Sequence, residues 1–91
     1  MMRITACARG RVQGVRYRYF VTDCARDTGV SGFVENMPDG SVTIVAEGSE
    51  YALDKFVKIL KRPADMLIRV DTLEVTRHVA TGEFSGFRIH W

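Results

Sequence analysis

The sequence has few cysteines and no long apolar run. Its only cysteines, Cys7 and Cys24, are too few for a disulfide framework and wrongly spaced for a zinc knuckle or a redox Cys-x-x-Cys motif. No apolar stretch approaches the roughly 18 residues of a membrane span, and Arg3 and Arg9 interrupt any signal-peptide core. We therefore expect reduced cysteines, a cytoplasmic protein and no membrane partner.

Acidic residues are absent from the start of the chain. Five arginines precede the first acidic residue, Asp23: Arg3, Arg9, Arg11, Arg16 and Arg18. The formal net charge is nevertheless only +2, too small an excess to indicate nucleic acid or anionic lipid by itself. We expect a local field that attracts an anion, although Arg3 and Arg9 can equally well solvate one face of a strand.

The chain is short and uninterrupted. Its 91 residues exclude a barrel or a doubly wound dinucleotide fold, and no repeat, linker or low-complexity tract divides them. Hydrophobic residues make up 46% of the sequence, which is enough to bury a core. We expect one domain over residues 1–91.

Hydrophobic periodicity predicts five strands and two helices. A half-buried strand over residues 3–9 precedes a helix that starts near Arg16 to Arg18 and stops at Gly29. A hairpin turning at residues 37–40 follows, then a helix capped by Ser49 and ended before Pro63. A long strand over residues 68–79, with a bulge near Asp71, and a short strand from Phe87 complete the chain.

This order predicts an α+β fold. The pattern βαββαβ plus a short C-terminal strand is that of a ferredoxin-like α/β sandwich, an antiparallel-rich mixed sheet with two helices on one face. Cys7 should then lie on the helix-free face and Cys24 on the inward side of the first helix, so that the sheet separates them.

The loop between the first strand and the first helix predicts an anion site. Residues 10–18 contain two glycines and lead into a helix N-terminus, where unpaired N–H groups and the helix dipole favour an anion. The Gly-x-x-x-x-Gly-Lys-[Ser/Thr] spacing of a P-loop is missing, and no lysine precedes Lys55. The residues alone leave open an oxyanion site or a plain structural loop.

Two motifs resemble the acylphosphatase family closely. They are Gly-Arg-Val-Gln-Gly-Val-Arg-Tyr-Arg at residues 10–18 and Gly-Phe-Val-Glu-Asn-Met-Pro-Asp-Gly-Ser-Val at residues 32–42. The likeness continues at residues 46–48, 69–71 and 87–89, and therefore covers nearly the whole chain. The resemblance implies the ferredoxin-like fold and the hydrolysis of small acyl phosphates to a carboxylate and inorganic phosphate, which is both product and inhibitor.

The resemblance also implies site residues. Arg18 matches the catalytic arginine that grips the phosphoryl group, and Asn36 matches the asparagine that orients the attacking water. The phosphate-binding loop, acting through backbone amides, is matched by Gln13, Gly14, Val15, Arg16 and Tyr17. The sequence departs from the commoner family pattern at Arg16, Phe33 and Met37, which puts substrate preference and rate in question while leaving the reaction class intact.

The implied chemistry needs no cofactor and no metal. A carboxylate leaves without a general acid, and Arg18 with the loop amides can supply the positive charge that magnesium supplies elsewhere. His78 and His90 show no ligand spacing, and we interpret both as ordinary surface or strand residues. We interpret Tyr17 and Phe20 as core residues, and Asp39 and Gly40 as turn formers. We expect a monomer.

The alternative function is a non-catalytic ferredoxin-like module that binds an anion or RNA. RNA-recognition motifs share this fold and stack bases on strand aromatics, and residues 31–34 faintly echo such a strand. Residues 3–9 contain no aromatic side chain, however, and charge concentrated at one loop suits a compact anion better than a polymer. We therefore expect no nucleic-acid partner.

Overall fold

The computed structural model describes all 91 residues and contains the seven predicted elements in the predicted order. They are β1 (Met2–Arg11), α1 (Tyr17–Thr28), β2 (Ser31–Asn36), β3 (Val42–Gly48), α2 (Glu50–Lys61), β4 (Arg69–Val79) and β5 (Phe87–His90). Neither helix is long and apolar enough to cross a membrane.

The strands form one mixed sheet in the order β4-β1-β3-β2-β5. Strand β1 pairs antiparallel with β3 and β4, β2 pairs antiparallel with β3, and β2 pairs parallel with β5. Each helix therefore connects two parallel strands that have another strand between them. This topology confirms the predicted ferredoxin-like α+β fold.

The core lies between the sheet and the two helices. Ile4, Ala6 and Ala8 of β1 are fully buried in it, as their alternation predicts. Cys24 of α1 belongs to the same core, and burial raises the pKa of its thiol to about 11. Cys7 alternates with the buried alanines and so lies on the opposite face of β1, which confirms the predicted separation.

Both helices end at the predicted signals. Gly29 follows α1 in the left-handed conformation (φ 77°), and its N–H donates to the carbonyl of Ala25 at 2.9 Å. The Ser49 hydroxyl caps α2 by accepting the N–H of Ala52 at 3.1 Å. Helix α2 ends at Lys61, before Pro63.

A bulge occurs where β1 runs towards the α1 N-terminus. Arg9 lies opposite Thr72 and Gly10 opposite Val70, so that Asp71 of β4 has no partner in the pairing. At Gly10 (φ 134°) a Cβ would lie 2.3 Å from the carbonyl oxygen of Arg69, so only glycine allows the strands to approach this closely. The predicted bulge near Asp71 is therefore confirmed.

Candidate active site

The loop over residues 12–16 connects β1 to α1. Gly14 (φ 73°) and Arg16 (φ 67°) both adopt left-handed backbone conformations, and Arg16 is the only non-glycine residue in the chain to do so. Left-handed residues interspersed in a turn direct successive N–H groups to one concave side, as in backbone nests that bind anions. Val12 is almost fully buried and anchors the start of the loop in the core.

The loop amides have no acceptor within the protein. The backbone N–H groups of Gln13, Gly14, Val15 and Arg16 make no hydrogen bond to any backbone or side-chain group. They precede the N-terminus of α1, where the helix dipole contributes about half a positive charge and no acidic residue occupies the first turn. The loop can therefore surround the oxygens of a compact anion.

The side chain of Gln13 joins this loop to the β2–β3 hairpin. Its amide nitrogen donates to the carbonyl oxygens of Met37 and Ser41, both at 2.8 Å. These carbonyls lie on either side of the hairpin turn that follows Asn36. The resemblance assigns Gln13 only a main-chain role; the structure adds that its side chain fixes the loop against the strand that carries Asn36.

The hairpin turn is itself held by Asp39. Its carboxylate accepts the N–H of Ser41 at 2.9 Å and the Ser41 hydroxyl at 2.6 Å. These bonds, with a smaller contribution from Arg9, hold the pKa of the Asp39 carboxyl below its usual value. Gly40 has a φ of 91°, so Asp39 and Gly40 are turn formers, as predicted.

Asn36 carries an unsatisfied acceptor. It is the last residue of β2, and its side chain projects to the same face as the fully buried Val34. Its Oδ1 is the one buried side-chain nitrogen or oxygen in the chain without a hydrogen-bond partner. Leaving such an acceptor unpaired costs about 1–3 kcal/mol, so it needs a particular reason. A donor O–H from water would satisfy it.

Arg18 lies at the same corner of the sheet as Asn36. It belongs to the first turn of α1, its Nη1 donates to the carbonyl oxygen of His90 at 3.5 Å, and its guanidinium lies 4.4 Å from the ring centroid of Trp91. His90 of β5 pairs with Glu35 of β2. Because the two strands are parallel, the next residues along them, Trp91 and Asn36, lie at the same end of the sheet. Arg18 contacts Trp91 and therefore lies beside the end of β2.

The five arginines that precede Asp23 differ in the partners of their side chains. Arg3 forms ion pairs with Glu47 and Glu83, and Arg9 forms one with Asp39 at 3.2 Å. The remaining three make no ion pair: Arg16 belongs to the loop, Arg11 is the last residue of β1 before it, and Arg18 lies in the first turn of α1 after it. The anion-attracting field is thus concentrated at the site, while Arg3 and Arg9 hold the structure.

Two aromatic residues and two histidines have predicted positions that the structure tests. Tyr17 is buried, its hydroxyl donates to the carbonyl of Leu60 at 3.3 Å, and burial raises the pKa of its phenol. Tyr17 is thus confirmed as a core residue, and Phe20, which stacks on Tyr17, is partly buried and packs against the core. His78 and His90 are exposed, as predicted. No group of three or more His, Cys, Asp or Glu side chains is placed to hold a metal ion.

Comparisons with known proteins agree with this geometry. The acylphosphatase family model matches residues 4–89. An acylphosphatase from Thermus thermophilus is 43% identical over 90 residues, covering 99% of this chain and 100% of that protein. One from Deinococcus radiodurans is 48% identical over 73 residues, covering 78% and 84% of the two chains.

The structural comparison extends over the whole fold. The crystal structure of acylphosphatase from Bacillus subtilis superposes with a TM-score of 0.90 at 36% identity, covering 100% of both chains. The match therefore includes the loop, the hairpin and β5, from which the candidate site is built. By sequence and by structure, this chain belongs to the acylphosphatase family.

Proposed function

We propose that the chain hydrolyses the carboxyl–phosphate bond of small acyl phosphates, with Arg18 and the loop amides holding the phosphoryl group and Asn36 orienting the attacking water. Membership of the acylphosphatase family carries the reaction class. The observation that carries the mechanism is the unpaired Oδ1 of Asn36, next to an arginine and a loop of unpaired amides.

The phosphoryl group is bound by one guanidinium group and by backbone N–H groups that already have the required positions. The planar guanidinium of Arg18 can bond two phosphoryl oxygens at once, and the amides of Gln13, Gly14, Val15, Arg16 and Tyr17 surround the others. Phosphoryl transfer through a loose transition state depends on positioning and charge stabilisation more than on covalent help from the protein. A preorganised arginine and loop provide both.

Hydrolysis then requires one oriented water. Asn36 Oδ1 accepts a hydrogen bond from the water and directs its oxygen towards phosphorus, in line with the leaving group. The new bond joins the water oxygen to phosphorus while the bond from phosphorus to the acyl oxygen breaks, and the electron pair leaves with the carboxylate. The proton lost by water passes to phosphate oxygen or solvent, because a neutral amide is a poor base. The carboxylate needs no general acid.

We further propose that this reaction is metal-independent and uses no cofactor. This proposal is supported by Arg18, Arg11 and Arg16, which bring positive charge without an ion-pair partner to a loop that ends at a helix N-terminus. This charge can stabilise the phosphoryl oxygens in the way that a magnesium ion does elsewhere.

We propose a single domain over residues 1–91, because one cluster of buried residues includes members of every strand and helix except β4, whose side chains pack against it. We also propose a monomer in the cytoplasm, without nucleic-acid or membrane partners. Two free cysteines on opposite sides of the sheet suit a reducing compartment.

Hydrolysis of benzoyl phosphate in EDTA tests the proposal, followed as loss of ultraviolet absorbance. We expect rapid turnover that inorganic phosphate inhibits competitively. A folded protein that hydrolyses no acyl phosphate, or that does so only after a divalent cation is added, would contradict the proposal. Retention of RNA by the inactive protein would then favour the binding-module alternative.

A further inference from the structure

Three aromatic rings pack together on the helix-free face of the sheet. Phe33 precedes Val34, which is fully buried on the helix side of β2, so the Phe33 ring lies on the opposite face. This ring stacks on the imidazole of His90, with centroids 4.1 Å apart and planes within 5°. It also meets the ring of Phe84 edge to face, at a centroid distance of 5.9 Å. Phe33 is therefore the central ring of the three.

The residue that stacks on Phe33 also contacts Arg18. The carbonyl oxygen of His90 accepts a hydrogen bond from Arg18 Nη1 at 3.5 Å, and the ring of the next residue, Trp91, lies 4.4 Å from the guanidinium. Arg18 belongs to α1 and so lies on the helix side of the sheet. The backbone of β5 thus connects the Phe33 ring on one face to the Arg18 guanidinium on the other. The sheet separates Phe33 from a phosphoryl group bound at Arg18.

The end of β5 is held from both faces of the sheet. The strand has four residues, lies at the sheet edge and pairs only with β2. Phe87 is buried and Ile89 packs against the core, which fixes the helix side. On the other side, the Glu35 carboxylate lies 3.7 Å from His90 Nδ1, beyond hydrogen-bond distance, and both side chains are about half exposed, so this pair contributes little. The stack on Phe33 is therefore the main contact that fixes His90 on the helix-free side.

We propose that Phe33 is a positioning residue for Arg18. Its ring fixes His90 from the helix-free face, and the His90 carbonyl in turn fixes the guanidinium on the helix side. Without the stack this carbonyl has more freedom, and the guanidinium is held less firmly in the geometry that bonds two phosphoryl oxygens. The inference rests on the proposed function and adds to its site a residue that does not touch the substrate.

Phosphate binding distinguishes positioning from a merely structural role. A loss of stability lowers the fraction of folded enzyme and with it the apparent kcat, but the folded molecules keep their KM and their inhibition constant for phosphate. A displaced guanidinium weakens the binding of the phosphoryl group itself and raises both constants. The measured quantities are therefore the KM for acetyl phosphate and the inhibition constant of inorganic phosphate, under conditions in which urea unfolding shows each variant to be folded.

Three substitutions test the ring. We expect Phe33→Ala to raise both constants about threefold to tenfold, as loss of one aromatic pair would. Phe33→Trp should keep both within about twofold of the wild type, because a ring remains to stack on the imidazole. Val45 lies directly opposite Phe33 on β3, which does not pair with β5. The control Val45→Ala should lower the urea midpoint and leave both constants unchanged.

A double-mutant cycle tests the route through His90. His90→Ala removes the imidazole and keeps the carbonyl that Arg18 contacts, and the side chain is exposed enough for the variant to fold. We expect this variant to raise both constants as much as Phe33→Ala does. The double variant should raise them no further, because the two rings act through a single contact.

Each result either supports or overturns the positioning role. The role is wrong if the wild type hydrolyses acetyl phosphate while Phe33→Ala leaves both constants unchanged, if Val45→Ala raises them equally, or if the effects of the two single variants multiply in the double variant. If Phe33→Ala does not fold, unchanged constants in His90→Ala overturn the role by themselves. A folded wild type that hydrolyses no acyl phosphate would instead contradict the proposed function.

Discussion

The guanidinium of Arg18 rests on the indole ring of Trp91, 4.4 Å from the ring centroid, and also donates to the carbonyl of His90. The ring of His90 in turn stacks on Phe33 of β2, with centroids 4.1 Å apart and planes within 5°. The position of Arg18 therefore depends on the end of β5, more than seventy residues further along the chain.

Replacing Trp91 tests that dependence. We expect Trp91→Ala to lower kcat/KM for acetyl phosphate about twofold to fivefold, as loss of an exposed cation–π contact would. Trp91→Phe should retain most of the activity, because a ring still supports the guanidinium. Inhibition by inorganic phosphate should weaken in parallel with the loss of activity. Equal activity in all three proteins would show that the contact does not position Arg18.

Asn36 should be important for turnover and unimportant for stability. We expect Asn36→Ala to lower kcat by about 10²–10³ fold, on the scale of losing one preorganised polar group, with phosphate inhibition little changed. The variant should be at least as stable as the wild type to urea, because Asn36 Oδ1 makes no hydrogen bond within the protein that the substitution would remove. A variant that keeps full kcat would refute the assigned role.

The side chain of Gln13 should be important for stability. Its side chain makes two hydrogen bonds to backbone carbonyls on either side of the hairpin turn. We expect Gln13→Ala to lower the free energy of unfolding by about 1–3 kcal/mol, measured in urea. Gln13→Glu should be worse, because a carboxylate facing two carbonyl oxygens cannot donate. An unchanged stability in both variants would mean that these bonds do not hold the loop to the hairpin.

Glu47 should make stability depend on pH in the acid range. Its buried carboxylate accepts the N–H groups of Thr81 and Gly82 and the Nε of Arg3, at 2.9, 3.0 and 2.8 Å. These interactions, with the Thr81 N–H the largest, lower the pKa of Glu47 from 4.5 to about 2. A lowered pKa means that the folded state favours the charged form, so the contribution is complete above pH 4.5 and is lost as pH falls towards 2.

The measurement is the urea midpoint as a function of pH. The wild type should lose stability between pH 4.5 and pH 2, and Glu47→Gln should start lower and lose less over that interval. Parallel curves for the two proteins would show that another carboxyl group controls the acid transition.

Much of the fold could be predicted from the sequence because its signals are local. The alternation of Ile4, Ala6 and Ala8, the glycine after α1 and the Ser49 cap each act within a few residues. The anion loop is local for the same reason, since it consists of a strand end, two glycines and a helix start. The roles of Arg18 and Asn36 came only from the family resemblance, because neither residue type alone indicates catalysis.

The contacts that could not be predicted join segments distant in sequence. The bonds from the Gln13 side chain to the hairpin depend on how β1 and β3 pair. The contact between Arg18 and Trp91 requires β5 to lie next to β2. The ion pair of Arg3 with Glu47 follows from the pairing of β1 with β3, in which the two residues are directly opposed. No local periodicity carries that information.

The most direct test of the account is benzoyl phosphate hydrolysis in EDTA by the wild type, Arg18→Ala and Arg18→Lys, each shown by urea unfolding to be folded. We predict rapid turnover by the wild type, almost none by Arg18→Ala, and little recovery in Arg18→Lys, because an ammonium cannot bond two phosphoryl oxygens in a plane. A folded Arg18→Ala protein that turns over at the wild-type rate would contradict the central claim that Arg18 holds the phosphoryl group.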